Sequence, residues 1–100
     1  MTTAHHEMDL TPTRLEIERI DKTICELFER RLTLVRGIAT YKQNADLPIE
    51  DQDREAALLD MIAAHTRDEK NAEACQALER LMIDISKDVQ REYTAAHLKR

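Results

Sequence analysis

Nothing in the sequence stops a helix between Pro12 and the NADLP turn at 44–48. Thr11 is a suitable N-cap and Pro12 a suitable first helical residue, because the N–H that proline lacks has no intrahelical partner there. About thirty residues at 1.5 Å each make a rod of roughly 48 Å. A compact chain of 100 residues has a radius of gyration near 13 Å, hence a diameter of about 34 Å. The rod is too long for such a body, so part of it projects and its apolar face needs cover. The cover expected is the same helix of a second copy, which makes a homodimer.

The face itself raises a second question. At every third or fourth residue it carries Ile17, Ile20, Ile24, Leu27, Arg31, Leu34 and Ile38. A charge on a core-facing stripe costs several kcal/mol unless it is paired or hydrogen-bonded. Arg31 therefore calls for an anion, and it is a candidate binding residue. Gly37, inside the same run, costs about 1 kcal/mol against alanine in a helix and leaves room for a close helix approach.

After the turn, a second helix is expected over about residues 51–66, with Asp51 or a neighbour as its cap and the stripe Glu55, Leu58, Leu59, Ile62. The acids Glu50, Asp51, Asp53 and Glu55 suit the positive end of its dipole. A polar linker leads to a third helix over about 72–95, with Cys75, Leu78, Met82, Ile85, Val89 and Tyr93 predicted on its inner face. One glycine and two prolines exclude Gly-rich phosphate loops and argue against a sheet. The fold expected is all-α, with a helical domain over 12–100 and a disordered polar tail over 1–11. The His5-His6 pair in that tail has no second ligand cluster, so no metal site is read there.

A net charge of −5, with three aromatics and no tryptophan, disfavours nucleic-acid binding, which needs a basic surface and stacking rings. No run approaches the roughly 20 apolar residues of a membrane span, and the N-terminus lacks a signal-peptide pattern. Cys25 and Cys75 both lie on apolar stripes, as small buried hydrophobes do. A cytoplasmic protein is expected.

Polar residues at the edges of the stripes are the informative exceptions. Arg31 and Lys42 stand eleven residues apart, three turns of helix, so they project within about 20° of each other and roughly 16 Å apart, within reach of one small anion. Asp51, Arg54 and Glu55 have the i, i+3, i+4 relation at the head of the second stripe. Ser86 and Gln90 lie one turn apart on the third helix. Three helices each bring polar groups to the edge of one core.

With these positions in hand, the chain resembles the all-helical, AroQ-class chorismate mutases. The likeness runs over about residues 14–93 and rests on Arg14, Ile20-Asp21, Arg30-Arg31, Ile38-Ala39, Tyr41-Lys42, Pro48-Ile49, Asp51, Arg54-Glu55, and Ser86 with Gln90, in that order. The resemblance implies a three-helix protomer intertwined with a second copy, two equivalent sites, and rearrangement of chorismate to prephenate on the way to phenylalanine and tyrosine. It implies that Arg31 and Arg14 hold the two substrate carboxylates and that Lys42 donates to the ether oxygen and a carboxylate. Glu55 and the backbone at Asp51 would hold the ring hydroxyl. Gln90 would donate to the ether oxygen, and Ser86 with Arg54 would support the carboxylate end. Such a reaction calls for no cofactor and no metal.

Spacing adds one constraint of its own. Arg14 and Arg31 are seventeen residues apart, about 25 Å along a helix and some 100° around it. They cannot both touch one ten-carbon ligand from the same chain, so Arg14 is expected to serve the partner's site. Two relatives of this reaction on the same fold are rival readings: an isochorismate pyruvate lyase and an aminodeoxychorismate mutase, whose ammonium would also suit Glu55. A non-catalytic helical dimer that binds another protein is the rival from a different class.

Overall fold

The computed structural model describes residues 9–98; residues 1–8, which carry the His5-His6 pair and most of the expected tail, lie outside that range. Helices account for the regular structure, and among the described residues there is no strand. Helix α1 spans Thr11–Asn44, α2 spans Gln52–His65 and α3 spans Ala72–Tyr93. A 3₁₀ turn at Glu69–Asn71 leads into α3, and a π turn at Thr94–Leu98 follows it. None of these helices is long and apolar enough to cross a membrane.

The chain divides within α1 into two compact units, the first ending at Arg31 and the second beginning at Leu32. In the first unit, Asp9 rather than Thr11 supplies the cap. Its Oδ1 accepts the Thr11 N–H at 2.9 Å, and Thr11 is already helical. An acidic side chain two residues upstream reaches an orphan N–H that a threonine within the first turn cannot. The Thr11 backbone N–H holds the Asp9 carboxyl below its usual 3.8. Any stability this cap contributes is therefore present above that value and lost as pH falls through the folded one. Along the same helix segment Leu15, Ile17, Ile20, Ile24 and Leu27 are each 46–52% exposed. This is the long apolar stripe expected from the sequence, and the protomer leaves it uncovered.

In the second unit α1 buries a different line from the one expected. Val35 and Ala39 are 6% and 1% exposed, whereas Leu34 and Ile38 are 70% and 45% exposed. This stretch of α1 is apolar on two faces, and periodicity cannot say which of them the protomer uses. Gly37 faces no close neighbour either, since a Cβ built there meets nothing within 4 Å. The close approach expected at Gly37 does not occur within the protomer. Among the described residues, Val35, Ala39 and Ile83 are the buried apolar ones, matched in number by the buried polar Glu79, Ser86 and Gln90. So small a core leaves much of the apolar surface of the described residues exposed.

The end of α1 is set by backbone geometry. The Leu47 N–H donates to the Lys42 carbonyl at 2.8 Å and the Asp46 N–H to the Gln43 carbonyl at 3.3 Å, with Asp46 at φ 58°. These paired bonds and the left-handed residue make a Schellman stop, and Pro48 prevents the helix from resuming. Asp46 holds a conformation that glycine adopts without strain. Asp46→Gly is expected to stabilise the fold by about 0.5 to 1 kcal/mol, read as a higher urea midpoint; a lower midpoint would show that the aspartate side chain matters more than its backbone.

Helix α2 begins where Asp51 caps it, its Oδ1 accepting the Arg54 N–H at 3.1 Å. Glu55, Leu58, Leu59 and Ile62 are half-buried on one face, as the sequence indicates. The Gln76 amide donates to the Leu59 carbonyl at 2.9 Å and ties α3 to α2. On α3 the buried line is Glu79, Ile83, Ser86 and Gln90. The expected inner face was centred one position earlier: Leu78 is 48% exposed, while Cys75, Met82, Ile85, Val89 and Tyr93 are half-buried flanks. An apolar pattern locates a helical face only through its apolar members, and here three of the four most buried positions are polar.

Candidate functional site

Six of the expected site residues belong to the second unit: Lys42, Asp51, Arg54, Glu55, Ser86 and Gln90. They come from the last turn of α1, the loop that follows it, the first turn of α2 and the C-terminal half of α3. Arg14 and Arg31 belong to the first unit, where Arg14 is exposed and Arg31 half-buried.

Lys42 is half-buried, and its Nζ donates to the Ile49 carbonyl at 2.8 Å. The bond fastens the 45–51 loop to the end of α1. It also uses only one of the ammonium's three donors, leaving two for a ligand. Asp51 commits Oδ1 to capping α2, which fixes the side chain at the helix start and leaves Oδ2 and the neighbouring backbone toward a ligand. The cap engages Arg54 through its backbone N–H, and the Arg54 residue is exposed.

Ser86 and Gln90 are each 6% exposed, far more buried than boundary residues on α3 need be. The Ser86 hydroxyl donates to the Met82 carbonyl at 2.6 Å, within its own helix. Gln90 differs: its Oε1 is buried and has no hydrogen-bond partner. A buried amide oxygen without a partner carries a desolvation penalty of about 1 to 3 kcal/mol. Replacing Gln90 with methionine, of similar length and without the amide, is expected to stabilise the protein by about 1 kcal/mol. The melting midpoint would then rise by roughly 4 to 8 °C for a domain of this size, and a fall would mean that the amide is satisfied in solution.

The sequence reading missed Lys87. Its Nζ lies 3.1 Å from Glu55 Oε2 and 3.2 Å from Glu50 Oε1, with Asp84 at 4.0 Å. The hydrogen bond that Lys87 donates to Glu55 raises the lysine above its usual 10.5. The stabilising contribution of this pairing is complete below 10.5 and is lost only as pH climbs through the higher folded value. In a chain that is 35% charged such a lysine looks like any surface cation, and only the packing of α3 beside α2 gives it this role. A separate shallow hollow of about 370 Å³, lined by Leu59, Glu73, Gln76, Ala77 and Arg80, contains none of the expected site residues.

The arrangement offers an oriented ammonium, a helix start with free backbone polarity, a carboxylate held by a lysine and a buried amide awaiting a partner. Such a set can grip a small polar anion and direct hydrogen bonds into it. Comparison with known proteins bears on what that anion is. The family model described as chorismate mutase type II matches residues 13–91. Among curated proteins, the T-protein of Enterobacter agglomerans is 36% identical over 92 residues, which cover 91% of this chain and 23% of the relative. The chain thus spans about a quarter of that relative's length. No solved structure gives a significant match.

Proposed function

The chain belongs to the chorismate mutase type II family, a family of isomerases, and from that premise we propose that it rearranges chorismate to prephenate, with Lys42 and Gln90 acting on the ether oxygen. The observation that carries this reading is the buried Gln90 amide without a partner. A half-turn about the terminal bond exchanges its oxygen for the NH₂ group at the same place. A buried donor is then ready for an oxygen that the protein itself does not supply.

The reaction is intramolecular: one C–O bond breaks while one C–C bond forms, with no nucleophile and no covalent intermediate. The flexible dianion must be held as a compact chair, and fixing it in that pose removes part of the barrier as entropy lost on binding. Arg31 and Arg14 hold the carboxylates, since a guanidinium fork matches a carboxylate bidentately. Ser86 and Arg54 support the carboxylate end, while Glu55 and the Asp51 backbone receive the ring hydroxyl. As the ether bond lengthens, charge grows on its oxygen. Donors already aimed there stabilise the transition state more than the ground state.

We further propose that the site is completed by a second copy. The uncovered stripe through Ile17, Ile20, Ile24 and Leu27 supports this, as do the exposed Leu34 and Ile38 beyond it. So does the small protomer core. Arg14, about 25 Å along the helix from Arg31, then serves the partner's site. Loss of chorismate absorbance, with chromatography to identify the product, tests the reaction, and Arg31→Ala is the companion variant. Prephenate supports the proposal, whereas salicylate and pyruvate would assign the site to the lyase. Sedimentation showing a stable monomer at micromolar concentration would sink the shared site.

A further inference from the structure

Lys87 occupies an unusual position for a lysine that no sequence motif picks out. Its side chain is 16% exposed and that of Glu55 is 19% exposed. The surface pairs Arg19–Glu16 and Arg91–Asp88 keep between 54% and 70% of each side chain in solvent. The Lys87–Glu55 pair is therefore less exposed than these, and salt screens it less than it screens them. Lys87 bonds to Oε2 of Glu55, leaving Oε1 to accept a second hydrogen bond. Glu50 and Asp84 complete the group, so Lys87 is the single cation among these four residues.

We propose that Lys87 is a specificity-determining residue. By holding Glu55 through Oε2, it suits the site to a substrate whose ring carries a neutral hydroxyl and turns it against one carrying an ammonium at the same place. This rests on the reading of Glu55 as the acceptor for the ring substituent. A hydroxyl needs only an acceptor, and the lysine-bound carboxylate remains one. An ammonium would have to share that carboxylate with Lys87, placing two cations on one anion. Discrimination of this kind works by repelling the wrong ligand as much as by attracting the right one. Without Lys87, Glu55, Glu50 and Asp84 would lose the cation they share, and an ammonium bound at Glu55 would be favoured.

The test compares kcat/KM for chorismate and for its 4-amino-4-deoxy analogue in the wild type, Lys87→Met and Lys87→Arg. The expected result is that Lys87→Met shifts the ratio toward the amino substrate by about tenfold or more, while Lys87→Arg, which keeps the charge, retains the wild-type preference. A general loss of packing would lower both substrates together and leave their ratio alone. A folded Lys87→Met protein with an unchanged ratio overturns the inference while leaving the mutase reading intact. A wild type that transforms neither substrate overturns the mutase reading itself. If Lys87→Met does not fold, Glu50→Gln serves instead. That side chain is 46% exposed, and neutralising it leaves Lys87 less offset. The ratio should then move further toward the hydroxyl substrate, and an unmoved ratio again overturns the inference.

Discussion

Replacing Lys42 with alanine is expected to lower turnover of chorismate by about a hundredfold or more, since one donor aimed at a developing negative oxygen is typically worth about 3 to 4 kcal/mol. The structure adds a second consequence. Lys42 also donates to the Ile49 carbonyl, so the variant loses a bond that ties the 45–51 loop to the end of α1. One neutral acceptor left to water in a half-buried place costs about 0.5 to 1.5 kcal/mol of stability. That is at most about half the catalytic loss, and the two are separable. Thermal unfolding reads the first, and turnover at saturating substrate reads the second. The mechanism fails if Lys42→Ala keeps turnover within a few-fold of wild type while the loop contact is demonstrably gone.

The second large effect concerns the two arginines of the first unit. Arg14→Ala and Arg31→Ala should each be nearly inactive, because truncating one partner of a buried charge pair costs about 2 to 5 kcal/mol or more. Mixed, unfolded and refolded together, they should recover activity. On the proposed shared site, one site of a heterodimer would take Arg31 from one chain and Arg14 from the other and be whole, while the second would lack both. With random pairing half the dimers are mixed, so about a quarter of the wild-type activity should return. No recovery, in a mixture shown to exchange chains, would mean that each site draws both arginines from one copy. That would contradict the spacing along α1, which is one continuous helix from Thr11 to Asn44.

Much of this protein was legible before any coordinates. Each of the three helices begins and ends within a few residues of the places where caps, proline and polar runs put them. The stripe on α2 is the expected one. The site candidates other than Arg14 could be named because each was a polar residue interrupting or edging an apolar line, an exception that folding alone does not require; Arg14 came from the family likeness alone. Family likeness then assigned them roles.

What escaped the sequence has two physical causes. Faces were misplaced wherever polar groups are buried or apolar residues exposed. On α3 the line Glu79, Ile83, Ser86, Gln90 is buried although only Ile83 is apolar, and on α1 Leu34 is exposed while Val35 is not. A hydropathy pattern reports transfer preferences, and burial also depends on what stands opposite. The second cause is separation along the chain. Lys87 meets Glu50 across 37 positions, and no local rule selects that lysine from the other charged residues.

The sequence by itself determined the helices and their ends, because caps, breakers and periodicity act within a few residues, and it supplied the residues proposed to hold a doubly charged ligand. The tertiary structure alone decided which faces are buried, that Lys42 is fastened to Ile49, that Gln90 is sealed in with an unsatisfied oxygen, and that Lys87 grips Glu55. Those outcomes depend on how α2 and α3 lie against each other and on how the loop closes onto α1. Contacts between distant segments are chosen by the packing of the whole second unit, where the cost of burying each polar group is settled by the neighbour it finds.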